Sequence, residues 1–150
     1  MHPDGTGALK NTGHSLSDGR TTKIHLVVAN DRTTVIFLLS GGEKHDAPQW
    51  RKLIEHLKPS NLCSLVMDRA YEDERTRTLA IKQGFSPVVP PKSNRREPWE
   101  YDKDLYQLRN EVERLFRRIK RFRRVFTRYE KLDVMFLAFL TFVLIIDMIK

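Results

Sequence analysis

A mixed α/β sheet with helices packed on its faces is the architecture the sequence predicts, and three observations carry it. Short β-rich runs alternate with helix-patterned segments along the chain, in the order strand, strand, helix, strand, helix, strand, helix, helix. The length of 150 residues suits one domain with a core of its own. The composition, 40% hydrophobic and 31% charged with only 7 Gly and 7 Pro, excludes collagen-like, low-complexity and wholly disordered chains.

The elements follow in order. Residues 1–22 are rich in Gly, Ser, Thr and Asp without periodicity, and are expected to be irregular. KIHLVVA, residues 23–29, and TVIFLLS, residues 34–40, are two strands joined by the hairpin-like NDRT. Asp46 is placed as an N-cap, and Trp50, Leu53, Ile54 and Leu57 then form a helical apolar stripe that stops before Pro59. LCSLVM, residues 62–67, reads as a buried strand ending at Asp68. A charged helix runs from about Asp73 to Gln83, with Gly84 as its stop signal. Residues 85–89 form a strand cut off by Pro90-Pro91, and a polar loop holds Arg95, Arg96 and Pro98. One long helix is predicted from Asp102 to Lys120, and an apolar helix from Lys131 to Ile149 closes the chain.

Charge is distributed unevenly. The chain holds 27 Lys and Arg against 19 Asp and Glu, a net charge of +8. Arg109, Arg114, Arg117, Arg118, Lys120, Arg121, Arg123, Arg124 and Arg128 fall in one stretch opposed only by Glu111 and Glu113, so that segment accounts for nearly all of the excess. Such concentration is the electrostatic footprint of a phosphate-neutralising protein, with nucleic acid the favoured partner over a solvated helix face or an acidic membrane surface. The 13 residues from Val134 to Ile146 are too few to span a bilayer, which takes about 20. They are expected to be a buried core helix, and no membrane partner is predicted. Met1–Lys10 lacks the apolar run of a signal peptide, and the single Cys63 excludes an internal disulfide and any multi-cysteine zinc site; a reducing cytoplasm is expected.

Two acids are candidates for chemistry. Asp68 closes a buried strand, the place where ligands gather in open α/β sheets; it serves equally well as a cap for the next helical turn. Glu113 shares a helix side with Tyr106, Arg109 and Lys120, at spacings of 3, 4 and 7, beside a core stripe of Leu108, Val112, Leu115 and Ile119. The two acids could meet and hold a divalent cation such as Mg²⁺. Ordinary i, i+4 ion pairing on an exposed helix is the alternative. His25 and the His45-Asp46 pair read as structural, and Asp4, in turn chemistry, receives no role.

The pattern Tyr106-x2-Arg109-x3-Glu113-x6-Lys120, with Asp68 in MDRAYE, resembles the DDE transposases of bacterial insertion sequences, specifically the insertion-sequence-5 type. TTKIHLVV, SGGEKHDA, PVVPPKSNR, NEVERLFRRIKRFRR and the closing RYEKL resemble the same family, over nearly the whole chain from Gly5. The resemblance implies a ribonuclease-H-like fold whose first strand carries the first catalytic Asp. By that comparison the chain is expected to lack the first strand, making residues 23–150 a partial ribonuclease-H-like DDE catalytic domain.

The implied activity is metal-dependent DNA cleavage and strand transfer at transposon ends, by in-line attack with two Mg²⁺ (or Mn²⁺) ions held on three carboxylates. Asp68 and Glu113 would be two of these, as catalytic residues and metal ligands. Arg109 and Lys120 would grip the phosphate backbone near the cut and Tyr106 would position it. Arg114, Arg117, Arg118, Arg121, Arg123 and Arg124 would add sequence-independent DNA affinity. Lacking the first Asp, the isolated chain is expected to be inactive, and an upstream-encoded N-terminal half is the partner that would complete it. Acting units are expected to be homo-oligomers in the bacterial cytoplasm, at the nucleoid. The alternative is a non-catalytic DNA-binding fragment, or an inhibitor of full-length transposase.

Overall fold

A computed structural model describes residues 11–14, 21–127 and 130–150. β2 (Thr21–Val28) and β3 (Thr34–Gly41) form the predicted antiparallel hairpin, with Ile24 opposite Leu39 and Leu26 opposite Phe37. In the connection, Asn30 Oδ1 accepts from the backbone N–H groups of Arg32 at 2.9 Å and Thr33 at 2.8 Å. That is the local Asx chemistry that makes Asn a turn residue.

β2 is buried on both faces. Ile24, Leu26 and Val28 point into one hydrophobic core and Val27 into another, so the run from Ile24 to Val28 is apolar but for His25. Two of its polar members are held by side chains of neighbouring elements. His25 Nε2 lies 2.8 Å from Ser40 Oγ, and Lys23 Nζ lies 3.0 Å from Asp46. These contacts give both His25 and Asp46 structural work.

Two expectations need correction here. The segment 1–22 is not irregular throughout. β1 (Asn11–His14) pairs antiparallel with β2, Asn11 opposite Ile24 and His14 opposite Thr21. Its sequence, NTGH, has no apolar alternation to mark it; the backbone ladder to β2 defines it as a strand. Residues 1–10, including Asp4, and 15–20 lie outside the described residues. Nor is there one mixed sheet. β4 (Cys63–Val66) pairs in parallel with β5 (Phe85–Val88), and among the described residues no ladder joins this pair to β1-β2-β3. Side-chain packing joins them instead, with Val27 sharing a core with Leu65 and Met67.

α1 (Asp46–His56) buries Trp50, Leu53 and Ile54 as its stripe predicts, although the N-cap is His45 and Asp46 is the first helical residue. Trp50 Nε1 donates to Met67 Sδ at 3.3 Å, which ties α1 to the end of β4. α2 (Glu74–Lys82) is capped by Asp73, whose carboxylate accepts from Thr76 N–H at 2.9 Å and Thr76 Oγ1 at 2.6 Å. Gly84 takes φ 92°, the left-handed conformation that ends a helix readily only at glycine.

The predicted long helix is two. α3 (Lys103–Tyr106), capped by Asp102, is separated from α4 (Arg109–Ile119) by a tightened joint. There Leu108 N–H bonds Leu105 O and Asn110 N–H bonds Gln107 O, three residues back rather than four. No helix-breaking residue stands at the joint, so the sequence carried no signal for it. α5 (Arg123–Thr127) and α6 (Asp133–Ile149) complete the second core, which holds Val112, Leu115, Phe116 and Ile119 of α4 against Phe136, Leu140, Val143 and Leu144 of α6.

The expectation of a buried α6 holds for one face only. Val134, Met135, Leu137, Phe142, Ile145, Met148 and Ile149 are exposed on the other. A run apolar all round left no polar stripe to mark that outer face. No described helix is long and apolar enough to cross a membrane.

Candidate acid pair and basic face

Asp68 leaves the carboxyl end of β4 as the cap of a short 3-10 turn, Arg69–Tyr71. Its two oxygens do different work. Oδ1 accepts from Ala70 N–H at 3.0 Å, while Oδ2 pairs with Arg109 NH1 at 3.1 Å. The capping use and the reactive position therefore coexist in one side chain.

Arg109, at the start of α4, reaches in two directions. NH1 meets Asp68, and NH2 meets Glu113 Oε1 one helical turn along at 3.0 Å. The guanidinium fork thus brings together the two acids singled out by the sequence, 45 residues apart in the chain. Both carboxylates stay about one-third exposed, 30% for Asp68 and 33% for Glu113. Arg117 approaches the other Glu113 oxygen at 3.8 Å.

Tyr106 completes one side of the cluster, its ring 5.9 Å from the Arg109 guanidinium carbon and edge-on to Tyr101 at 5.6 Å. Burial pushes its phenol pKa up; the Arg109 charge opposes this and Asp68 reinforces it. Lys120, the C-cap of α4, is exposed at the far end of the helix and makes no ion pair among the described residues. The structure thus gathers Tyr106, Arg109, Glu113 and Asp68, and leaves Lys120 apart.

Two hard oxygen donors on either side of one cation have the chemistry a divalent metal ion needs. Among the described residues no third His, Cys, Asp or Glu joins them.

The sequence matches the family model described as a transposase DDE domain over residues 4–148. The chain belongs to this family. A curated relative from Brucella ovis, named "Putative transposase for insertion sequence element IS6501", is 28% identical over 120 residues, covering 79% of this chain and 91% of that protein.

The basic residues of this DDE domain divide by environment. Arg117, Arg121 and Arg123 are exposed; Arg114 is exposed beside Glu111, and Arg124 is exposed beside Glu130. Arg118 is turned inward. Its Nε lies 2.9 Å from Asp147 Oδ1 on α6, and its NH2 donates both to Asp147 and to the Asp31 carbonyl in the β2–β3 connection. The hydrogen bonds to Asp147 hold its pKa above the usual arginine value despite burial. Arg118 therefore joins three elements and differs in role from its neighbours. Phe116 and Phe122, interleaved in the basic run, pack on the second core, while Arg128 and the Phe126 side chain lie outside what the structure describes.

One buried cluster of the DDE domain carried no expectation. Glu72, four residues after Asp68, is buried and grips two residues of the loop after β5, Arg95 at 2.8 Å and Lys92 at 3.2 Å. Burial pushes the Glu72 pKa up, and the hydrogen bonds and charges of Arg95 and Lys92 outweigh it, holding the carboxyl below its ordinary range. The only available signal was an acid one turn past Asp68 and a basic loop, PPKSNRR, with nothing to pair them.

Proposed function

We propose that the chain is the catalytic portion of a DDE transposase of the insertion-sequence-5 type, with a ribonuclease-H-like arrangement, acting on DNA at transposon ends. The observation that supports this most is Arg109 binding Asp68 and Glu113 at once, since it puts the acids of two distant segments in one place. Asp68 and Glu113 are the catalytic and metal-holding residues. A bound Mg²⁺ or Mn²⁺ supplies Lewis-acid polarisation of the scissile phosphate and an activated nucleophile.

In this reading the chain's own residues bind and orient. Arg109 carries the positive charge that balances the acid pair and can turn to a phosphate oxygen. Tyr106 packs beside it and limits where the strand can lie. Arg114, Arg117, Arg121, Arg123 and Arg124 hold the DNA backbone, with Lys120 extending that grip beyond the acid pair. Cutting and joining two ends calls for homo-oligomeric action in the bacterial cytoplasm, at the nucleoid.

None of the strands β1, β2 and β3 carries an acidic residue. That observation favours a second reading for the isolated chain, as a DNA-binding fragment or inhibitor that cannot cut. A segment contributing the first carboxylate is then the partner required for activity.

The test is supercoiled plasmid incubated with the purified chain and Mg²⁺. DNA retention without nicking is expected. Mg²⁺-dependent nicking lost in Asp68→Asn would overturn the inactivity, and loss in Asp4→Asn would identify the third carboxylate. Failure to retain DNA at all would contradict the transposase reading.

A further inference from the structure

The edge of the molecule beside Asp68 carries a second basic feature, separate from the α4–α5 run. Met67 N–H donates to Val88 O at 2.9 Å, so the β4–β5 pairing continues one step past β4 and the two strand ends leave side by side. One exit leads to Asp68. The other leads through Pro90-Pro91, whose rings fix φ, into Lys92–Glu97.

This loop is held in shape. Glu72, 4% exposed, binds Lys92 through one oxygen and Arg95 through the other, and its carbonyl accepts from Arg95 NH2 at 3.3 Å. Trp99 Nε1 donates to Val89 O at 2.8 Å, closing the loop on itself. The Trp99 ring carries the Arg95 guanidinium at 4.6 Å and that of Arg77 at 3.6 Å. Burial, then the Arg95 charge, pushes the Arg77 pKa down, as expected where cations are crowded.

The loop and Glu72 enclose an open hollow of about 550 Å³ lined by Glu72, Lys92, Asn94, Arg95, Arg96 and Glu97. Glu72 is the buried floor and is already engaged by Lys92 and Arg95. Exposed along the hollow are Asn94, Lys92 (whose ammonium also pairs with Glu72) and Arg96, which has no ion-pair partner among the described residues. These donor types are the ones that contact phosphate and sugar in protein–DNA complexes.

We infer that the Lys92–Glu97 loop is a phosphate-binding element that takes the DNA backbone next to the acid pair, with Lys92, Asn94 and Arg96 as its contacts. The inference deepens the transposase reading and rests on it. The hollow is open and wider than a single phosphate ion, and it adjoins a site read as cutting phosphodiesters. A continuous strand running from the loop past Asp68 fits it better than free phosphate. Glu72 acts as a positioning residue, fixing where Lys92 and Arg95 stand relative to Asp68.

The test is fluorescence anisotropy of a labelled short duplex against the full chain, at several salt concentrations. Arg96 is exposed and outside the Glu72 cluster, so Arg96→Gln is expected to leave the thermal melt unchanged. Lys92→Gln also takes a partner from buried Glu72 and is expected to lower the melt while the chain stays folded. Arg96→Gln is expected to lower the slope of log affinity against log salt by about one, and the Lys92→Gln/Arg96→Gln pair by about two. Affinity of the pair at low salt should fall roughly tenfold. Inorganic phosphate at the same ionic strength as the chloride control should compete no better than chloride. Wild-type slope and affinity in the double variant would overturn the inference while leaving the transposase reading intact, and so would selective competition by free phosphate. A wild-type chain that binds no duplex would overturn both.

Discussion

Asp68 shows how one side chain serves structure and site together, because its two oxygens have different partners. Asparagine keeps the oxygen that caps Ala70 and loses the charge that meets Arg109. Asp68→Asn is therefore expected to shift unfolding free energy by no more than about 0.5 kcal/mol, while Asp68→Ala, which removes the cap, costs about 1 kcal/mol. Urea denaturation midpoints of the two variants check this, and equal loss in both would contradict it.

Glu72 makes a pH prediction. Its pKa is depressed in the folded chain, so its contribution to stability is fully present above the unfolded carboxylate value of about 4.3 and is lost as pH falls through the lower folded value. The stability difference between wild type and Glu72→Gln should be constant above about pH 5 and shrink in more acidic solution. Thermal melts across pH 3 to 7 would show it; a difference that grows on acidification would reverse the sign and refute the assignment.

At the scale of elements, α4 has one face in the second core and an edge that holds Arg109 and Glu113. Its basic residues are expected to split by role. Arg118→Ala removes the partner of the nearly buried Asp147 and is predicted to cost about 1–3 kcal/mol in urea denaturation. Arg123→Ala, at an exposed position, should be neutral in stability and lower the salt dependence of DNA binding by about one. Equal stability losses in the two variants would contradict this division.

The sequence could not have separated them, since Arg118 differs from Arg117 only by the helix face it occupies and by an acid 29 residues away. The hairpin, α1, the start of α2 near Asp73 and the Gly84 stop were legible because each rests on local chemistry. β1 was not, because NTGH carries no pattern and its ladder to β2 is a tertiary fact. The joint at Gln107–Leu108 was equally silent, and it places Tyr106 and Glu113 on separate helices while still keeping them in one cluster. Asp68 and Glu113 were legible as candidates, but the Arg109 fork that joins them is a tertiary fact.

Across the whole molecule, β2 divides two cores, and the acid pair lies at the seam between them. Asp68 follows β4, which packs in the core with α1 and α2, whereas Glu113 belongs to α4, whose apolar face packs with α6. A cation shared by the two acids would link these halves and stabilise the fold by mass action. The sheets themselves were predicted as one because a run of strands alternating with helices does not reveal which edges meet. The central claim is that Asp68 and Glu113 form one cation site. Calorimetric titration of the folded chain with Mn²⁺, comparing wild type with Asp68→Asn and Glu113→Gln, tests it most directly. Binding in the wild type that weakens at least tenfold in each variant is the predicted result; binding unchanged by either substitution, or absent from the wild type, would contradict it.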